Sequence, residues 1–291
     1  MGVLTSVGRC DLWGAEPGYG SAVSELVLGH LRARGLGGIP VYDPLGCAAF
    51  GKGGVPSVSV TSDERWLATV WPFVHRSLPA APARVAEIGC GPLGGFVPLL
   101  KTAGYAATGV DPEAPPGPAY RQVEFERSDL PGGLDGIVAC TSLHHVADLA
   151  DVLDRVQALL APRGRIVVVE WARERFDEAT ARWCFDRLPG PEADRPGWLH
   201  DRQAEWAASG QSWDACLRSW AEAEGLHTAQ AILDALDARF SCQHISFGPY
   251  FFADLSGTSE TDEQAAIDAG RIRANRINYI ASKNPNPAVS A

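Results

Sequence analysis

No run of about 18 apolar residues occurs in this chain of 291 residues, so no segment reads as a membrane-spanning helix. The N-terminus has no basic stretch leading into an apolar core, so no secretory signal is expected. The seven cysteines, at 10, 47, 90, 140, 184, 216 and 242, form no CxxC pair and no cluster with metal-ligand spacing. They read as reduced thiols in a cytoplasmic protein with no metal centre. Basic residues are outnumbered: the formal net charge is −10, with no basic stripe. That balance argues against nucleic acid and against an anionic membrane surface as partners. No internal repeat is visible. Met1 is the sole methionine.

The chain's strongest signal is Arg84-Val85-Ala86-Glu87-Ile88-Gly89-Cys90-Gly91-Pro92-Leu93-Gly94-Gly95, followed by the helix-compatible Phe96 to Leu100. It reads as a buried strand breaking at glycines into a helix whose free N–H groups face a ligand. The glycine spacing alone also fits the dinucleotide fingerprint. Glu87 tips the balance. An acid near the end of a strand covered by helices needs a cationic partner, and a bound amino group would supply one. Tyr105 to Val110 reads as a second strand, ending at Asp111, where an acid can accept hydrogen bonds from ribose hydroxyls. The competing reading makes Asp111 the N-cap of a helix with Pro112 in its first position.

With these residues the chain resembles the class I S-adenosylmethionine-dependent methyltransferases, whose first motif is an acid followed by x-Gly-x-Gly. The resemblance covers about Val60 to Lys283. It implies that Glu87, Gly89, Cys90 and Gly91 hold the methionine end of S-adenosyl-L-methionine and that Asp111 and Pro112 sit at the ribose. After a third strand, Arg121 to Phe125, the segment Glu126-Arg127-Ser128-Asp129-Leu130-Pro131 is similar to the family's adenine-binding stretch. There Glu126 takes the adenine position and Asp129 is its neighbour; either also reads as a solvated loop acid. A fourth strand, Leu134 to Cys140, opens into Thr141-Ser142-Leu143-His144-His145-Val146. This segment resembles the ubiquinone/menaquinone-methyltransferase branch. Thr141 and Ser142 are expected beside the cofactor. His145 or His144 is expected to orient it or take a substrate proton, against the alternative of a histidine packed at a helix start. No Asn-Pro-Pro-Tyr or Asp-Pro-Pro-Tyr follows the strand, which argues against amino-methylation of nucleic acid.

Ala147 to Leu160 has helical spacing, and Arg165 to Trp171 is a fifth strand after the turn Leu160 to Gly164. Phe240 to Phe247 and Arg276 to Ala281 read as the last two strands, joined through a helix within Asp262 to Ala274. The expected fold is therefore α/β: a Rossmann-like doubly wound sheet, mostly parallel with an antiparallel last strand, plus helical lid insertions. The domain is expected at 55–283. Residues 1–54 hold 13 of the 31 glycines and no sustained period. They read as a non-core leader, flexible or upstream of the true translation start. Residues 284–291 read as a frayed tail.

Two segments are expected to set specificity. One is the helix Asp63 to His75, capped by Thr61 or Ser62. The other is an aromatic lid over 171–213. There Trp171, Arg173 and Trp183 are expected to meet a small, apolar or aromatic acceptor, with Phe176 and Trp183 on one helix face. The competing reading has the tryptophans stapling helices to the sheet. Two other functions stay open: an NAD(P)-dependent Rossmann oxidoreductase and a non-catalytic nucleoside-binding protein on the same fold. The first needs a Tyr/Lys or His/acid pair that the sequence does not display.

Overall fold

The computed structural model describes residues 61–190 and 197–283; the expected leader and tail lie outside the described residues. Helix α1 is Ser62–Ser77. Thr61 caps it, accepting the Glu64 N–H while the Glu64 carboxylate accepts the Thr61 N–H. Strand β1 (Arg84–Ile88) leads through the glycine turn into α2 (Val97–Thr102). Strand β2 is Ala106–Val110. Strand β3 covers only Tyr120–Arg121, not the expected 121–125. Because β2 stops at Val110, β3 has only Gly109 and Val110 to pair with. Past it the Arg155 guanidinium binds the Phe125 carbonyl and helps hold Phe125–Arg127 in a single 3-10 turn.

Strand β4 (Leu134–Cys140) and α3 (Leu149–Leu159) follow, with Asp148 capping the helix. Strand β5 spans Leu160–Trp171, longer than expected, because Leu160 already pairs with Leu134; a register shift absorbs the turn residues that follow. Three helices then form a cap: α4 (Glu178–Phe185), α5 (Trp198–Ser209) and α6 (Trp213–Ala223). Helix α7 (Ala229–Asp237), strand β6 (Phe240–Gly248), helix α8 (Glu260–Asp268) and strand β7 (Arg276–Lys283) complete the described chain. Helix α8 begins earlier than expected because Ser259 and Asp262 form its capping box.

The strands form one sheet in the order β3-β2-β1-β4-β5-β7-β6. β7 runs antiparallel to both its neighbours and the other pairings are parallel. This is the expected Rossmann-like fold with its antiparallel last strand. Alternation along the strands fills two cores. Ile137, Ala139, Ile166 and Val168 face α3 and α7, while Val85, Val138, Val167 and Val169 face α1 and α2. A third core lies in the cap, where Phe176, Leu199, Trp213 and Phe251 are fully buried. Among the described residues no helix is long and apolar enough to cross a membrane.

Candidate active site

Glu87 is buried at the carboxyl end of β1, on the face covered by α1 and α2. The Phe96 N–H at the start of α2 donates to both its carboxylate oxygens, at 2.8 and 3.1 Å. Among the described residues it has no ion-pair partner. Burial raises its carboxyl to about 8; the backbone N–H groups of Phe96 and Val97 pull it down, and the charge of Asp111 adds to the rise. A Cβ on Gly95 would collide with this carboxylate, so only glycine lets the turn close over the acid.

The turn is tied from its other side by β2. The Gly91 N–H donates to Asp111 Oδ2 at 2.9 Å, and the Glu113 N–H donates to Oδ1 at 2.7 Å. Pro112 opens a turn and not a helix, so Asp111 caps no helix. A Cβ on Gly91 (φ 60°) would meet nothing within 4 Å, so this backbone is bare toward open space. At the end of β4, Thr141 holds a left-handed φ of 50°, a conformation that costs a threonine energy and so marks a constrained site. Its neighbour Ser142 is buried with no partner for its hydroxyl.

Beside them lies a cavity of about 190 Å³ lined by Glu87, Gly89, Cys90, Gly91, Cys140 and Thr141, with Asp63, Trp66 and Leu67 of α1 across it. The Trp66 indole N–H donates to Cys140 Sγ at 3.5 Å. Burial pushes both the Cys90 and the Cys140 thiols to about 12, aided by the charge of Glu87. Burial thus disfavours the thiolate at both positions.

The histidine pair sits beyond this cavity. His144 is buried, with Nδ1 2.6 Å from Glu170 Oε2. Glu170 also accepts the N–H groups of Ser142 (2.8 Å), Leu143 (2.6 Å) and Trp171 (3.1 Å). Burial alone would raise the Glu170 carboxyl, but His144 and these N–H groups hold it below its ordinary value. The pair therefore organises the turn after β4. It is the His/acid pair that the sequence did not display, but its bonds run to the backbone and it does not line the cavity. His145 is exposed, its ring 4.1 Å from that of His144; partial burial and then His144 lower its pKa.

The other expected residues lie apart from the cavity. Asp129 is exposed and paired with Arg121 at 3.0 Å; Glu126 is half-buried in the 3-10 turn beside it. Trp171 is buried, stacked on Tyr250 with 5.9 Å between ring centres. Arg173 donates to the carbonyls of Leu226 and His227 at 3.1 and 3.3 Å. Trp183 lies under the Arg187 guanidinium at 4.3 Å. Phe176 and Trp183 do not share a helix: Asp177 caps α4, so Phe176 precedes it. Sequence reasoning passed over Glu170, although it stands inside an apolar strand as Glu87 does. It placed α1 among the specificity elements without singling out Trp66. Nothing in the sequence pointed to Tyr250, which packs edge-on to Trp66 at 5.0 Å.

The fold places this cavity at the carboxyl edge of a doubly wound sheet, where such sheets bind nucleoside-type ligands. A family model described as a methyltransferase domain matches residues 64–228, more than half of the chain, and the chain belongs to that family. It is thus a methyltransferase-domain protein. A segment of a highly reducing polyketide synthase of Emericella nidulans is 25% identical over 157 residues; that is 50% of this chain, which spans only 6% of the synthase's length. Among solved structures, a methyltransferase from Mesorhizobium loti aligns with 74% of this chain and 97% of its own, at 21% identity and a TM-score of 0.45. A geranyl diphosphate C-methyltransferase from Streptomyces coelicolor aligns with 91% of this chain and 99% of its own, at 15% identity and a TM-score of 0.44.

Proposed function

We propose that this chain transfers a methyl group to a small organic acceptor with an apolar or aromatic body. The observation that carries the reading is the buried, uncompensated Glu87 in a cavity bounded by bare glycine backbone and closed by Trp66. When bound, S-adenosylmethionine supplies an electrophilic methyl on a sulfonium. The residues present fit such a donor: Glu87 opposes its ammonium, Gly89 to Gly91 give it backbone, and the orphaned Ser142 hydroxyl gains a partner. Asp111 keeps lone pairs free for ribose hydroxyls, next to Pro112. Glu126 suits the adenine amino group better than Asp129, which Arg121 already occupies.

Methyl transfer needs alignment and exclusion of water more than a strong base. Trp66 and Leu67 would supply the exclusion. Where the acceptor must lose a proton, His145 is the available group, and His144, held by Glu170, positions it. The Leu143-His144-His145-Val146 segment supports placement near the ubiquinone/menaquinone branch, and the match to a polyketide synthase segment supports a small organic acceptor. The acidic charge balance favours neither nucleic acid nor a membrane surface as partner and suits a cytoplasmic enzyme.

Calorimetry with S-adenosylhomocysteine and with NADH tests the donor site. Saturable binding of the first alone is expected. Glu87→Ala should weaken it by about 1.5–3 kcal/mol, the scale of a hydrogen bond to a charged group, or roughly 10- to 100-fold. Binding of NADH alone would return the oxidoreductase. Wild-type affinity in both Glu87→Ala and Asp111→Ala would remove these residues from the site. Donor binding with no methyl transfer to any acceptor tried would favour a non-catalytic protein.

A further inference from the structure

A second cavity, of about 400 Å³, opens between β6, β7 and α8 at the same edge of the sheet. Its wall carries Arg276, whose side chain is only 11% exposed. Nη2 of Arg276 pairs with Glu260 at 2.8 Å, while Nε and Nη1 are buried without a partner. A guanidinium stays charged at every physiological pH, so two unpaired buried nitrogens call for oxygen acceptors. Asn278, 8% exposed, leaves its carboxamide oxygen unpaired in the same cavity. Phe247 also borders it, with its ring under the Arg175 guanidinium at 4.6 Å. Gly248 lies opposite Arg276 in register, and a Cβ there would sit 3.3 Å from Nη2, so glycine leaves the guanidinium its room.

Trp66 stands between this cavity and the donor cavity. Arg276 lies 5.8 Å from the ring of Trp66, which lines the donor side. Val169 pairs with Cys140 on one side and Asn278 on the other, so Cys140 and Asn278 lie two strand spacings apart, about 10 Å. One small aromatic molecule spans most of the distance from Cys140, at the donor cavity, to Asn278.

We propose that this cavity anchors the acceptor: it takes the carboxylate of an aromatic acid bearing a hydroxyl, with Arg276 on the carboxylate and Asn278 accepting from a hydroxyl. This rests on the reading of the acceptor as a small organic molecule. A monoanion fits and a phosphate dianion does not, because Glu260 already shares the guanidinium and Asp268 stands in the cavity wall.

The test is ligand-observed NMR on the full chain saturated with S-adenosylhomocysteine. The probes are benzoate and the hydroxybenzoates, the matched primary amides, and inorganic phosphate. Carboxylates should bind at least tenfold more tightly than their amides, hydroxybenzoates more tightly than benzoate, and phosphate should not compete. Arg276→Gln should abolish the preference with S-adenosylhomocysteine affinity unchanged. Glu260→Gln, on a half-exposed residue, removes the negative charge that competes for the guanidinium and should tighten carboxylate binding. Equal binding of amides, competition by phosphate, binding of no probe, unaltered binding in Arg276→Gln, or weaker binding in Glu260→Gln would each overturn the proposal. Failure to bind S-adenosylhomocysteine would instead overturn the donor-site reading.

Discussion

Glu87 shows how far one residue can be followed from sequence to chemistry. An acid in an apolar strand needs a reason, and the structure leaves this one buried, hydrogen-bonded to the start of α2 and without a counter-ion. Its carboxyl sits at about 8, above the ordinary 4.5, because burial penalises the charge. The fold therefore prefers the protonated form. The group's contribution to stability is fully present below pH 4.5 and is lost as the pH rises through 8. If Glu87 faces the donor's ammonium, as proposed, that charge restores the carboxylate. Binding of S-adenosylhomocysteine at pH 7 should then release up to about one proton, measured by calorimetry in buffers of different ionisation enthalpy, and Glu87→Gln should abolish the release. Equal proton counts in the two proteins would separate Glu87 from the donor. The same logic was available for Glu170, an acid in an equally apolar strand. What the sequence could not supply was its partner, since His144 lies 26 residues away and meets it only through β4–β5 pairing.

Elements with a period of their own were legible: β1, β2, β4, α1 and α3 stand close to where hydrophobic patterning and caps place them. Those decided by a neighbour were not. β3 is cut short because β2 gives it two residues to pair with. The segment 171–213 was legible as aromatic but not as architecture, because dense tryptophan marks a ligand wall and a small core equally well. In the structure Trp213 and Phe251 both pack on Phe176, with ring centres 4.9 and 4.4 Å away, and the Trp213 indole donates to the Phe176 carbonyl at 2.5 Å. That geometry supports the stapling role for these three. Trp183 differs: it is half-buried under Arg187. Trp213→Ala should cost about 3–5 kcal/mol, a fall of about 10 °C in melting temperature for a chain of this size. Trp183→Ala should cost under about 1 kcal/mol and leave S-adenosylhomocysteine affinity intact. Comparable melting in the two variants would mean that the cap does not fold around Trp213.

At the scale of the molecule, three cores meet at one sheet edge. Trp171 ends β5, stacks on Tyr250 and packs into the cap, while Tyr250 touches Trp66 above the donor cavity. Arg65 of α1 reinforces the joint, donating to the carbonyls of Phe252, Ala253, Leu255 and Thr258 at 2.7–3.3 Å. Glu263 of α8 holds the same turn by accepting the Tyr250 and Phe252 N–H groups, each at 2.7 Å. Helix α1 is thus bound to the sheet, to the 250–258 turn and to the donor cavity by its own residues, and its first turn is closed by Thr61 and Glu64. Residues 1–54 hold 13 of the 31 glycines and no sustained apolar period, too little patterned surface to offset the entropy of ordering them. A chain starting at Val55 should fold with the melting temperature of the full chain, within a few degrees. It should also show the same stabilisation by S-adenosylhomocysteine, about 2.7 kcal/mol at a hundredfold excess over Kd. Thermal melting of the two proteins with and without S-adenosylhomocysteine measures both quantities. If the shorter chain is insoluble, or keeps its melting temperature but loses the ligand-induced shift, residues upstream of Val55 complete the fold in the first case and the donor site in the second.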